Sequence, residues 1–203
     1  MRRTADLRRA ATMACRVLAD RRISELPVDP LRLLRACRDT RVYTADEAAE
    51  ILEQPAAAVE RMFDVSEAVT FAEHTDGGTR YIVIYKPCGN PARLRFTLAH
   101  ELGHRVLGHQ ARELADEREA DCFASHLLCP QPVMDYLCRE GGKPTAAQLA
   151  GLFYVSIPCA RAVLRRQRIL LENELKEAMQ ELCGRLVISP VKHPEENAPP
   201  KDE

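Results

Sequence analysis

Apolar residues recur at helical spacing at Leu7, Ala10, Ala11, Ala14, Val17 and Leu18, which predicts a helix over 5–22. Leu26-Pro27-Val28-Asp29-Pro30 interrupts the pattern. Asp29 followed by Pro30 is a start signal for a second helix running to about Arg38. Arg41-Val42-Tyr43 reads as a short strand, and Thr44 with Glu47 has capping-box spacing for a helix into the early fifties. A further short helix is expected from Pro55 to about Asp64. The period then changes. Residues 68–72 and 80–85 are strand-like and joined through Asp76-Gly77-Gly78, a hairpin signal. After the Pro87–Pro91 loop, helical spacing returns from Ala92 to Leu107, with Gly108 as its stop, and from Arg112 to Leu128, stopped by Pro130. Residues 144–168 hold two short helical patterns around Tyr154-Val155-Ser156, the second continuing to about Leu182. From Val187 onward the chain is polar and proline-rich, and it is expected to be a disordered tail.

Composition narrows the class. The 203 residues are 46% hydrophobic and 29% charged, enough for one domain, or a domain with a small appendage, to bury a core unaided. Lys+Arg 29 against Asp+Glu 30 gives a net charge of −1, a poor balance for bulk nucleic-acid or anionic-membrane binding. No apolar run reaches the roughly 18 residues of a membrane span. The stretch Ala10 to Ala19 is broken by Arg16, so it does not read as a signal peptide. The eight cysteines include no C-x-x-C pair and mostly sit in apolar helical patterns, where a thiol acts as a small hydrophobe. Reduced thiols in a cytoplasmic protein are expected, with neither a disulfide framework nor a cysteine zinc site.

The chemistry concentrates in His100-Glu101-Leu102-Gly103-His104, an H-E-x-x-H motif on a predicted helix. Residues four apart share a helix face, so His100 and His104 present two imidazoles to one ion, while Leu98, Leu102 and Val106 mark a separate buried face. Glu101 lies one residue round, in reach of an activated water whose proton it can take and later deliver to a leaving amine. A third protein ligand is needed. Leu107 and Gln110 stand where the metzincin pattern requires Gly and His. His109 falls on the opposite face of a continuous helix, and it is expected to cap the helix or to stand behind a ligand and orient it. On the next helix the apolar stripe is Ala120, Phe123, Ala124 and Leu127. Glu117 lies roughly 60° from its centre and Glu119 roughly 100° on the other side. Glu117 is therefore the expected third ligand, with Glu119 the alternative that the wheel alone leaves open. Asp121, one turn on, is placed to accept a hydrogen bond from a ligating imidazole. Glu113, Asp116 and Glu119 are expected to be solvated.

Two blocks then resemble a known family. Arg95-Phe96-Thr97-Leu98-Ala99-His100-Glu101-Leu102-Gly103-His104, followed by Leu107-Gly108-His109, and Glu117-Arg118-Glu119-Ala120-Asp121 through Leu127-Leu128-Cys129-Pro130 are similar to the ImmA/IrrE metallopeptidases. The likeness extends upstream through the hairpin and Pro27-Val28-Asp29, and downstream to Leu149–Ser156. It implies a zincin-like zinc endopeptidase with one Zn2+ per chain, held by His100, His104 and, through an E-x-x-x-D arrangement, Glu117, with Glu101 as catalytic acid/base. It also implies a protein substrate, a helix-turn-helix repressor of a prophage or other mobile element. Cys129 departs from the family's usual Met before Pro130. No extra C-terminal sensory domain is readable.

The expected fold class is α+β, mostly helical, with a small antiparallel sheet. The expected organisation is a metallopeptidase domain over 1–130, a helix-turn-helix-like segment over 131–185, and a disordered tail over 186–203. Within the first, a helical N-terminal region covers 1–66, and the hairpin and active-site helices cover 67–130. The Tyr81–Tyr85 strand is read as a candidate exposed edge for an extended substrate, with Tyr81 and Tyr85 either binding substrate or packing. The competing function is a DNA-binding or repressor-binding regulatory module without proteolysis. It would work through 144–168, where Arg161, Arg165, Arg166 and Arg168 cluster. A metal-bearing scaffold that binds the repressor without cutting it is a third reading.

Overall fold

The computed structural model describes residues 3–63, 66–76, 78–87, 90–110, 113–166, 168 and 170–188. Local start signals account for most of its helices. The Asp6 carboxylate accepts from the Arg9 N–H (2.9 Å) to open α1 (Leu7–Asp20), whose Ala10, Ala14, Cys15 and Leu18 are buried. Asp29 caps α2 (Pro30–Arg35) through the Arg32 N–H. Thr44 and Glu47 form the reciprocal capping box of α3 (Ala45–Ile51), at 3.2 and 2.7 Å. The short α4 (Ala56–Glu60) follows.

Three strands make the main sheet: β2 (Thr40–Thr44), β3 (Ala68–Thr75) and β4 (Gly78–Tyr85), in the order β2-β4-β3. The expected hairpin forms, with Ala68 opposite Tyr85 and Thr75 opposite Gly78. Two expectations fail. The sheet is mixed rather than antiparallel, because β2 runs parallel to β4. The Tyr81–Tyr85 strand is not an edge: Tyr81 lies between Thr40 and Ala72, and Tyr85, which is buried, between Thr44 and Ala68. A parallel partner arrives only through a long crossover, here α3, α4 and β3, so no local pattern around Tyr81 announces it.

Asn90 accepts from the Ala92 and Arg93 N–H groups to start α5 (Pro91–Leu107), and Gly108, at φ 71°, ends it in the left-handed conformation. Then come α6 (Leu114–Leu128), α7 (Gln131–Gly141, which the sequence pattern does not reveal), α8 (Ala146–Phe153) and α9 (Ile157–Arg165). Thr145 and Ser156 cap α8 and α9. The two helices meet at 113° across Tyr154-Val155-Ser156, a helix-turn-helix angle. The expected continuation to Leu182 breaks after Arg165, and α10 (Asn173–Gly184) is separate. The break turns the Arg166 guanidinium inward, where it donates to Ser125 O and Oγ (both 3.0 Å) and to Cys129 O at the end of α6. Arg95 of α5 likewise donates to Tyr154 O (3.2 Å) and to Val28 O (2.6 Å). The α8–α9 pair is thus tied to the two central helices through carbonyls at helix ends. Of the four clustered arginines, Arg161 and Arg165 are exposed and Arg168 pairs with Asp135.

A two-residue parallel ladder joins β1 (Glu25–Leu26) to β5 (Val187–Ile188). The start of the expected tail is therefore structured, and residues 189–203 lie outside the described residues. The seven described cysteines are free thiols, and burial pushes Cys122 up to about 11 and Cys15 up to about 12. Cys88 lies outside the described residues. Among the described residues, no single helix is long and apolar enough to cross a membrane.

The helices that matter most for chemistry are α5 and α6. They approach at Gly103, where a Cβ would meet the Phe123 ring at 3.0 Å and the Ala120 Cα at 3.3 Å. Phe123, Ala120, Ala124 and Leu127 are fully buried in that interface. Gly103→Ala is expected to destabilise the protein by about 1 kcal/mol, overpacking outweighing the helix-propensity gain. A denaturant midpoint at or above wild type would contradict this contact.

His126 on α6 is 4% exposed. Its Nδ1 lies 2.9 Å from Cys122 O, and its buried Nε2 has no hydrogen-bond partner among the described residues. Burial and then the Arg166 charge push it down to about 4. The unfolded chain binds this proton below an ordinary value of 6.5 and the folded chain does not. Stability should therefore fall as pH drops from about 6.5 to about 4, by about 3 kcal/mol in all. His126→Leu should flatten that slope in urea titrations across the interval.

Candidate metal centre

Two helices converge to build the site. On α5, His100 and His104 lie one turn apart with their Nε2 atoms 2.9 Å from each other. The first turn of α6 carries Glu117 against them. Its Oε2 is 3.2 Å from His100 Nε2 and its Oε1 is 3.5 Å from His104 Nε2. One donor atom from each of the three residues lies within 4.8 Å of the others. Asp121, a turn further along, places Oδ1 2.9 Å from His100 Nδ1. A carboxylate there accepts, so Nδ1 carries the hydrogen and His100 Nε2 is left as a bare lone pair.

The arrangement fits a metal on its own geometry. Two imidazole nitrogens and a carboxylate crowd one point, and Glu117 Oε1 is buried there with no hydrogen-bond partner among the described residues. With their lone pairs turned toward one another, such atoms repel unless a proton or a cation sits among them. Two neutral histidines and one glutamate form the donor set of catalytic zinc sites that keep a fourth position open. The electrostatics agree. Burial acts to lower the His100 pKa, but the Asp121 hydrogen bond and the charges of Glu101, Asp121 and Glu117 outweigh it and raise it. The pocket favours positive charge at this point.

The remaining site residues fall as follows. Glu101 is 2% exposed and lies close enough for its charge to act on His100. His109, carried round by Gly108, has its Nδ1 3.0 Å from His104 Nδ1 and stands behind that histidine rather than beside the three ligand atoms. Tyr81 and Tyr85 belong to the central strand. The helical wheel is corrected on one point. Glu117 has a side chain 37% exposed, whereas Glu119 is buried at 1% and Asp116 is buried as well. The wheel assumes a single buried stripe, but α6 packs against both α5 and α1, so a second face is covered. Asp116 and Glu119 pair there with Arg3, which is more than a hundred residues away in sequence, and no local signal announces them. Glu113 is exposed as expected.

Two histidines and a glutamate on adjacent helices form a cluster compatible with the metal site of a metallopeptidase. The chain belongs to the peptidase family M78, described as the IrrE N-terminal-like domain, whose pattern matches residues 60–165 and so includes every residue of the centre. No curated protein matches the chain.

Purified protein should hold roughly one divalent ion per chain, measured by elemental analysis. His100→Ala should abolish that content. Metal retained in the variant would move the site elsewhere.

Proposed function

We propose that this protein is a zincin-like zinc endopeptidase. The observation that carries the reading is the convergence of His100, His104 and Glu117 beside a buried Glu101, in a chain of this family. The first three hold the ion and Asp121 orients His100. A zinc ion held there would supply Lewis-acid chemistry for a scissile carbonyl and an attacking water. Glu101 takes the proton of the attacking water and delivers it to the leaving amine. Its burial excludes competing solvent and concentrates its charge where the proton moves.

An extended substrate needs a free strand edge. The outer strand β3, exposed from Phe71 to Thr75, supports that role in place of β4. The substrate class follows the family resemblance: a protein, with a helix-turn-helix repressor of a mobile element as the first candidate, met in the cytoplasm. Direct DNA contact through 144–168 is the weaker reading. Arg166 is turned toward Ser125 and Cys129, and Arg168 is paired with Asp135.

Glu101→Gln should keep the metal and lose cleavage by roughly 10²–10⁴-fold, followed by gel electrophoresis and mass spectrometry of candidate repressors. Cleavage at the wild-type rate would remove Glu101 from the mechanism. Metal binding with no cleavage of any repressor by wild type would favour a binding scaffold.

A further inference from the structure

Behind the metal centre lies a second layer of charge that the hydrolysis itself does not use. Glu119 is 1% exposed. Its Oε1 accepts from the Asp6 backbone N–H at 2.9 Å and faces the Arg3 guanidinium at 3.1 Å. Its Oε2 lies 3.8 Å from Arg9 and 3.1 Å from His109 Nε2. Asp116, also buried, pairs with Arg3 and lies 3.7 Å from His109 Nε2. The His109 side chain, 3% exposed, spans the gap to His104, Nδ1 to Nδ1, at 3.0 Å.

We propose that Glu119 is a positioning residue: acting through His109, and held in place by Arg3, Asp6 and Arg9 of the N-terminal segment, it fixes the tautomer in which His104 can bind metal. Hydrogen-bond logic carries the argument. Guanidinium and amide N–H groups only donate, so Glu119 accepts from the N-terminal segment and offers its remaining lone pairs to His109 Nε2. His109 therefore carries its hydrogen on Nε2 and has a bare Nδ1. That Nδ1 faces His104 Nδ1, and two bare nitrogens 3.0 Å apart would repel, so His104 must carry its hydrogen on Nδ1. His104 Nε2 then turns a lone pair toward His100 and Glu117. Asp121 does the same for His100 in one step. For His104 the chain needs two steps and reaches the first residues of the described chain.

The inference rests on the metal site proposed above, and the test separates the two. Nitrogen-15 correlation spectra of histidine-labelled, metal-free protein read the tautomers directly, and chelator competition reads zinc affinity. Wild type should show His109 with its hydrogen on Nε2 and His104 with its hydrogen on Nδ1. In Glu119→Gln, Arg3 and the Asp6 N–H claim the amide oxygen and turn the NH2 toward His109. Both tautomers should reverse, and zinc affinity should fall 10–100-fold. Wild-type tautomers and affinity in that variant would overturn the proposal. Should Glu119→Gln fail to fold, a second pair decides. His109→Asn presents an amide oxygen to His104 and should keep most of the affinity, whereas His109→Phe offers no acceptor and should lose it. Equal affinities in the two would overturn the proposal. Wild type that binds no zinc but shows the expected tautomers would remove the peptidase reading and leave the positioning chain standing. Wild type that binds zinc with the His109 hydrogen on Nδ1 would do the reverse.

Discussion

The centre depends on how closely α5 can approach α6. Gly103 has no side chain, so Phe123 and the Ala120 backbone sit where a Cβ would stand. Burying apolar side chains such as Phe123 and Leu127 contributes roughly 2 kcal/mol each to that contact. The same closeness brings a carboxylate on α6 within reach of two imidazoles on α5. The site is built on two packed helices rather than on loops, which limits how far its donors can drift. The packing brings two imidazole nitrogens and a buried carboxylate oxygen to face one another, an arrangement that a shared cation would stabilise. Hydrophobic burial holds the three side chains in this arrangement, and a bound cation would relieve it.

Around that contact the protein places its buried polar groups at helix ends and behind histidines. Arg95 and Arg166 each turn into the protein to satisfy carbonyls at the ends of α8 and α6. They fasten the α8–α9 pair to the central helices. A segment that resembles a helix-turn-helix by angle and turn length is thus also packed onto the central helices, with its inward arginine as a fastener. Asp121 and His109 perform the corresponding task for the site by holding the ring hydrogens of His100 and His104 away from the metal side.

Much of this was legible along the chain, for reasons that differ by element. The capping residues Asp29, Thr44 with Glu47, and Gly108 mark helix ends because those signals act over three or four residues. The hairpin was legible through its turn. His100, Glu101 and His104 were legible because four-residue spacing on a helix is itself geometry. Glu117 was legible too, though not for the reason the helical wheel supplies. It reaches the histidines from a partly exposed position, while the acid carried deepest is Glu119. A wheel describes one buried face, and α6 has two.

The sequence by itself determined what local physics controls: where helices start and stop, which residues share a face, and that His100, Glu101 and His104 stand together on α5. Tertiary structure decided everything that depends on a partner distant in sequence. β2 made Tyr81 and Tyr85 central rather than marginal, and β1 captured the beginning of the expected tail. The packing of α1 on α6 buried Asp116 and Glu119 and brought Arg3 to them. Hydrophobic pattern is periodic and can be read along one helix, whereas the choice of neighbour follows from the summed burial of the whole chain and leaves no local mark.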